Sequence, residues 1–107
     1  MTTAIIANLE KLLGGPRDGA LLRYSLGNEW LKAGDPARAA ACLHEAIARD
    51  AKFSAAWKLL GKALADSGRS AEALLAYEQG IVVAEARGDV QAAQEMAVFA
   101  NRLRKPD

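Results

Sequence analysis

The sequence predicts an all-α protein built from antiparallel helix-turn-helix repeats, with about six helices in one domain over residues 1–107. Three observations predict this class. No stretch alternates strictly between apolar and polar residues as a half-buried strand would, and helix-forming residues, above all alanine, dominate nearly everywhere. Short turns that contain glycine divide the chain into helix-length segments. Part of the pattern also recurs along the chain, which is typical of stacked repeats.

The first helix is predicted over residues 3–14, where it caps the N-terminal edge of the fold. Gly14-Gly15-Pro16 ends it, because glycine accepts the left-handed conformation that follows a helix and proline cannot continue one. Its apolar face is formed by Ile5, Ile6, Leu9, Leu12 and Leu13.

The second helix is predicted to run from Asp18, as its N-terminal cap, to about Ala33. Gly34-Asp35-Pro36 then ends it and begins the third helix. Here glycine takes the left-handed conformation, aspartate caps free amides, and proline suits the first helical turn. The third helix is predicted to end near Arg49.

The remaining helices follow the same plan. A fourth helix begins around Ser54, and the Gly68-Arg69-Ser70 turn leads into a fifth with its serine as the cap. The fifth helix is predicted to reach about Ala86. After a further glycine turn, residues 89–104 are predicted to form a helix that caps the C-terminal edge.

Two glycines inside helices carry the argument for a repeat. Gly27 and Gly61 lie 34 residues apart, although glycine in a helix interior costs roughly 1 kcal/mol relative to alanine. We interpret them as places where two helices cross so closely that a bulky neighbour rests on the backbone. The same shift superimposes other small, large and turn positions: Leu26 on Leu60, Gly34 on Gly68, Ala39 on Ala73, Leu43 on Tyr77 and Ile47 on Ile81.

These positions resemble the tetratricopeptide repeat family, whose 34-residue helix-turn-helix unit has the pattern W-x₂-L-G-x₂-Y, then A-x₃-F, then P. The resemblance implies an α-solenoid fragment with one repeat at 20–53 and another at 54–87. The second unit matches at Trp57, Leu60, Gly61, Ala73 and Tyr77, and the first at Leu26, Gly27, Ala39 and Ala46. A third unit is not predicted, because Gln94 and Glu95 stand where leucine and glycine would be needed.

The resemblance also implies a function, in which a partner's peptide or helix binds a concave groove lined by the first helix of each unit. An amide on that face would hydrogen-bond a peptide backbone, and lysines would attract acidic groups. Taken singly, such lysines are more often a solvated surface and a tyrosine there more often packs. The groove hypothesis therefore concerns the face as a whole. Its predicted residues are Leu21, Tyr24, Asn28, Leu31, Lys58 and Lys62.

Some members of the resembled family grip a C-terminal carboxylate with a clamp of lysine, asparagine and arginine side chains. Asn28 fits that clamp, but Tyr24 and Leu59 replace its first lysine and second asparagine. The carboxylate clamp is therefore predicted to be absent.

Charge and cysteine content restrict the partners. The net charge is +1, so the sequence predicts neither a nucleic-acid partner nor a membrane surface. Cys42 is the single cysteine, which agrees with a reducing, cytoplasmic setting. Because Cys42 and His44 lie two apart on a helix, their side chains diverge by about 200°, which suits neither a metal nor a nucleophile-base pair. No enzyme, cofactor or metal site is predicted.

Two functions from different classes follow. The favoured one is a cytoplasmic adaptor that binds a segment of another protein. The alternative is a homo-oligomerising module whose terminal helices associate with those of a second copy, since arrays of repeats leave apolar edges that need a cover.

Overall fold

The computed structural model describes residues 2–104, and six α-helices account for most of them. In chain order they are α1 (Thr2–Glu10), α2 (Ala20–Lys32), α3 (Pro36–Arg49), α4 (Ser54–Asp66), α5 (Ser70–Ala86) and α6 (Val90–Arg104). No strand occurs among the described residues. The predicted all-α class is therefore confirmed.

A glycine turn connects the paired helices. Gly34 and Gly68 have φ angles of 82° and 77°, in the left-handed region that side chains disfavour, and Gly88 repeats the geometry. The amide of the following residue bonds back across the last helical turn, from Asp35 N to Trp30 O at 2.9 Å in the first turn. These turns reverse the chain and lay consecutive helices side by side.

The helix caps differ in part from the predicted ones. Asp35 caps α3 as predicted, because its carboxylate accepts a hydrogen bond from Arg38 N at 3.1 Å. The prediction for Asp18 is wrong, since Gly19 occupies the N-cap of α2 without a side-chain bond. The prediction for Ser70 is also wrong, because it is the first residue of α5 and follows the cap position.

Asp18 instead ties the connection before α2 to that helix. Its carboxylate accepts hydrogen bonds from Arg23 Nε and Nη2, both at 2.9 Å, and from Gly14 N at 2.9 Å. These donors favour the charged form and hold the pKa of the Asp18 carboxyl well below its usual range. Because the Asp18 carboxylate already accepts three hydrogen bonds, it fixes the loop before α2 and does not cap that helix.

Helix α1 ends earlier than the predicted residue 14. From Leu12 onward the amides bond three residues back, as from Leu12 N to Leu9 O at 3.0 Å, so the chain forms turns. The predicted apolar face is consequently divided. Ile6 is 4% exposed and packs with α2, whereas Ile5 is 44% exposed.

The helices form two rows. Each helix packs against its neighbours in the chain, and in addition α2 contacts α4 and α4 contacts α6. Across residues 2–104, α3 and α5 make no comparable contact with each other. The helices α2, α4 and α6 therefore lie side by side along one side of the molecule, and α3 and α5 cover the other.

The two helix-interior glycines receive the same kind of neighbour. A Cβ atom added at Gly27 would lie 2.6 Å from Leu43 Cγ, and one added at Gly61 would lie 2.6 Å from Tyr77 Cδ1. Both distances are far shorter than any van der Waals contact. The glycines therefore admit a large side chain from the second helix of the pair, at equivalent places 34 residues apart.

The Tyr77 ring is buried against Gly61, and this burial changes the pKa of its phenol. Removal from water raises the pKa of Tyr77 to about 12, because the phenolate would lose its hydration. An unfolded tyrosine ionises near pH 10. Between these values the unfolded chain releases a proton that the folded chain keeps, so rising pH favours unfolding.

We therefore predict that the wild-type protein loses about 2 kcal/mol more of its free energy of unfolding between pH 10 and pH 12 than Tyr77→Phe does. Urea unfolding followed by circular dichroism at each pH measures the difference. The two profiles should run parallel below pH 9, where the phenol is neutral in both states. Profiles that stay parallel up to pH 12 would contradict the prediction.

Helix α6 continues the row of α2 and α4, but at a spacing of 36 residues where α2 and α4 are 34 apart. It begins 36 residues after α4, because α5 has 17 residues against 14 in α3 while the following loop is one residue shorter. At this spacing Met96 corresponds to Leu60 and Ala97 to Gly61. Met96 is fully buried, as Leu60 is. In its packing, α6 thus resembles the first helix of a further unit.

Candidate functional site

The predicted groove residues lie on the exposed side of α2 and α4. Leu21 is 69% exposed and Lys62 is also exposed, while the other four are half-buried. Spacings of three and four residues place them on one stripe of each helix. The structure does not show what this face binds, so its role as a groove stays a prediction.

Two members of the set also pack. The Tyr24 ring lies 4.8 Å from that of Phe53, measured between centroids, at an interplanar angle of 37°. Phe53 occupies the N-cap of α4, so this contact joins the middle of α2 to the start of α4. Leu31 packs against the central core. Both side chains help to hold α2 and α4 in position.

The two lysines are both paired with carboxylates. Lys58 Nζ lies 2.7 Å from Glu95 Oε1 and links α4 to α6, while Lys62 Nζ lies 3.3 Å from Asp66 Oδ2 one turn further along α4. Such pairs near the surface are worth about 0–1 kcal/mol each. An acidic ligand therefore has to compete with an internal carboxylate, at a modest cost.

Sequence reasoning missed the contribution of α6 to this face. Glu95 reaches Lys58 from α6, and on the same side of that helix Val98 is 49% exposed. The signal was available as the 36-residue spacing between α4 and α6. A 34-residue shift does not reveal it, because α6 begins 36 residues after α4.

An apolar cleft of about 390 Å³ lies on the opposite side, between α3 and α5. Its residues include Trp57, Leu75 and His44, and none of the predicted groove residues lines it. The indole Nε1 of Trp57 donates a hydrogen bond to Ala51 O at 2.8 Å, so the ring is fixed at the edge of the core.

In the described part of the chain, the cysteine is shielded from water and the metal-ligand side chains are scattered. Cys42 is half-buried, and loss of hydration raises the pKa of its thiol, which keeps it in the less nucleophilic form. Within residues 2–104 no three His, Cys, Asp or Glu side chains gather as metal ligands would. None of the helices described combines the length and apolarity needed to cross a bilayer.

Comparisons with known proteins agree with the sequence pattern and the helix arrangement. A family model described as tetratricopeptide repeat matches residues 24–94. A TPR repeat-containing protein of Pseudomonas aeruginosa is 48% identical over 99 residues, which cover 92% of this chain and 94% of that protein.

Solved structures share the fold. A protein from Bordetella parapertussis, solved in solution, is 38% identical with a TM-score of 0.80, and the match covers 92% of this chain and 86% of that one. The crystal structure of a tetratricopeptide repeat domain protein from Salinibacter ruber is 28% identical with a TM-score of 0.74, covering 80% and 96%. The similarity thus extends over most of the chain.

Proposed function

Because the chain belongs to the tetratricopeptide repeat family, whose fold is that of a protein–protein interaction module, we propose that it binds a peptide or helix of a partner on the face shared by α2, α4 and α6. The observation that carries this proposal is the alignment of three helices whose outward sides hold apolar and polar groups together. We further propose that the protein acts as a cytoplasmic adaptor, in agreement with its free Cys42.

The chemistry of the face indicates the kind of ligand. Leu21 and Val98 are large apolar side chains exposed on α2 and α6, the two outer helices of the row. On α2, two turns after Leu21, Asn28 offers an amide that both donates to and accepts from a peptide backbone. A suitable ligand therefore has apolar side chains at two separated points and an extended or helical backbone between them.

The lysines add a preference for acidic ligands. Lys62 is the more exposed of the two, and its ion pair is with Asp66 of its own helix. A ligand carboxylate near Lys62 displaces a weak surface pair and meets no buried charge. We expect at least one Asp or Glu in the bound segment, and binding that weakens as salt is added.

The test is capture of partners by a variant altered on this face. Leu21→Glu, Asn28→Ala and Lys62→Glu together remove apolar, amide and cationic groups but spare the packed Tyr24. We expect the yield of captured partners to fall about tenfold, equivalent to roughly 1.4 kcal/mol of binding free energy. Thermal unfolding should stay close to wild type.

A matched control keeps the charge change away from the proposed groove. Leu75→Glu alters a similarly exposed leucine in the cleft on the opposite side of the molecule. It should leave the captured partners unchanged. If the triple variant retains the same partners at undiminished yield, the face is not the binding surface.

Self-association through the terminal helices is the competing prediction. Light scattering after size exclusion tests it directly, because a monomer at every concentration excludes it. A dimer that resists the groove substitutions would favour it.

A further inference from the structure

Helix α2 is covered by α3 and helix α4 by α5, but no following helix packs on α6 in the described part of the chain. The second helix α3 lies on α2 and places Leu43 on Gly27, and α5 lies on α4 and places Tyr77 on Gly61. Within residues 2–104 no helix takes the corresponding position on α6. One side of α6 is therefore uncovered where its two equivalents are packed.

The uncovered side forms a groove of about 330 Å³ between α5 and α6, which we call the edge groove. Its floor is made of small and apolar side chains, and Val90 at one end is 61% exposed. The lining residues are Ile81, Glu85, Val90, Ala93, Gln94 and Ala97.

The edge groove lies at the place on α6 that corresponds to the surface of α4 on which α5 packs. At the 36-residue spacing, Ala97 corresponds to Gly61 and Ala93 to Trp57. Where α5 packs on α4, Tyr77 contacts Gly61, and a Cβ added at Gly80 would lie 2.8 Å from Trp57 Cβ. A helix that entered the edge groove would meet Ala97 and Ala93 in the same way, over a surface of small side chains.

The two helices already seated in this way show which sequence fits. Both present a small residue, then a large one four positions later, then a small one after three more. In α3 these are Ala39, Leu43 and Ala46, and in α5 they are Ala73, Tyr77 and Gly80; all six are buried. Small residues on either side let the helix approach closely while the large one fills the central notch.

The charge of Glu85 favours one orientation of a helix bound in the edge groove. Glu85 is exposed beside Val90 and makes no ion pair with any residue in the described range. A helix antiparallel to α6, as α5 is to α4, brings its C-terminal end to this carboxylate. Lys or Arg in its last turn would pair with Glu85 and also suits the helix dipole.

We propose that the edge groove binds an amphipathic helix of a partner protein, antiparallel to α6, with a small-x₃-large-x₂-small pattern and a basic C-terminal turn. The bound helix completes a further repeat in trans. The edge groove lies apart from the face shared by α2, α4 and α6, so binding at the groove and binding at that face are tested independently.

The probe is a fluorescein-labelled peptide with the sequence of residues 70–86 that carries three changes. Leu75→Lys and Val82→Lys replace apolar side chains that are exposed on α5, and Glu85→Arg within the peptide supplies the basic last turn that the proposal requires. Its binding to the full chain is measured by fluorescence anisotropy. We expect saturable binding in the micromolar range and a loss of about tenfold in affinity when the peptide carries Tyr77→Ala.

Two protein variants locate the site. Ala97→Arg fills the floor of the edge groove and should weaken peptide binding at least about tenfold. The matched control, Val98→Arg, makes the same change one residue further along, on the face that α6 shares with α4, and should leave affinity unchanged. Glu85→Lys leaves the packing intact, and we expect it to weaken binding by about three- to tenfold at low salt.

Four results would overturn the proposal. The first is no saturable binding to the wild-type chain up to about 1 mM peptide. The second is equal affinity for wild type and Ala97→Arg, and the third is a loss with Val98→Arg instead. The fourth is a concentration-dependent dimer by light scattering that Ala97→Arg abolishes, because the occupant is then a second copy of this chain.

Discussion

Gly61→Leu is expected to lower the free energy of unfolding by about 1–3 kcal/mol, the usual cost of forcing a large side chain into a packed interior. The substitution removes a helix-propensity penalty of roughly 1 kcal/mol, so the direction of the net effect depends on packing. Packing prevails because even a Cβ atom at this position would lie 2.6 Å from Tyr77 Cδ1 and Cζ.

Tyr77 lies between α4 and α6, and the space beside it is a surface pocket of about 160 Å³ that it lines together with Phe99 and Leu103. The Tyr77 ring is buried, and its centroid lies 5.6 Å from that of Phe99 on α6, so a shift away from Gly61 would press on that helix. A leucine at residue 61 therefore separates α4 from α5 or disturbs the contact between α5 and α6. In either case contact area is lost along the whole pair.

Thermal unfolding followed by circular dichroism measures the effect, which should be about 4–8 °C in Tm for each kcal/mol in a domain near this size. Lys62→Leu is the matched control, since it places the same side chain one residue further on and in solvent. It should change the stability by no more than about 0.5 kcal/mol. A Gly61→Leu protein that melts at or above the wild-type temperature would contradict the packing role.

Local chemistry explains why the fold was predictable. Gly34 and Gly68 end helices because they accept a left-handed backbone, and Asp35 caps α3 through a contact only three residues away. Interactions of this range are encoded within a few neighbouring residues. The 34-residue recurrence adds long-range information, because it indicates that Gly27 and Gly61 each lie under a side chain of a second helix.

The features that sequence reasoning missed depend on competition between nearby donors, on contacts between helices, or on small changes in length. Aspartate is a residue type that favours helix N-caps, but Arg23 lies close enough to donate two hydrogen bonds to the Asp18 carboxylate. The pairing of Lys58 with Glu95 requires α6 to lie beside α4, which no local pattern indicates. A longer α5 displaced the recurrence by two residues and concealed the similarity of α6 to α4.

The candidate binding face was predictable only as far as the family resemblance extends. Helical periodicity assigns Leu21 and Asn28 to the same side of α2, and the structure leaves that side accessible. Which partner binds depends on the chemistry of a second molecule, and this chain does not encode it. The assignment of the face therefore stays a prediction for the capture experiment.

Met96→Ala is the second change with a large expected effect, a loss of about 2–5 kcal/mol in the free energy of unfolding. Met96 is fully buried, and a Cβ added at Gly80 would lie 2.5 Å from its sulfur, so the side chain fills the notch on α5. Its removal leaves a cavity between α5 and α6. For a domain with a total stability of about 5–15 kcal/mol, this is a large fraction.

The pattern of unfolding in Met96→Ala separates two views of α6. If α6 packs as the first helix of a further unit, its contacts with α5 and α4 belong to one cooperative core. The loss should then lower the midpoint of the whole transition, with helix content and tryptophan fluorescence changing together. Val98→Ala, a truncation on the exposed side of the same helix, should shift the stability by no more than about 0.5 kcal/mol. If the variant instead loses only part of its helix signal early, and the remainder melts at the wild-type midpoint, α6 is a detachable cap.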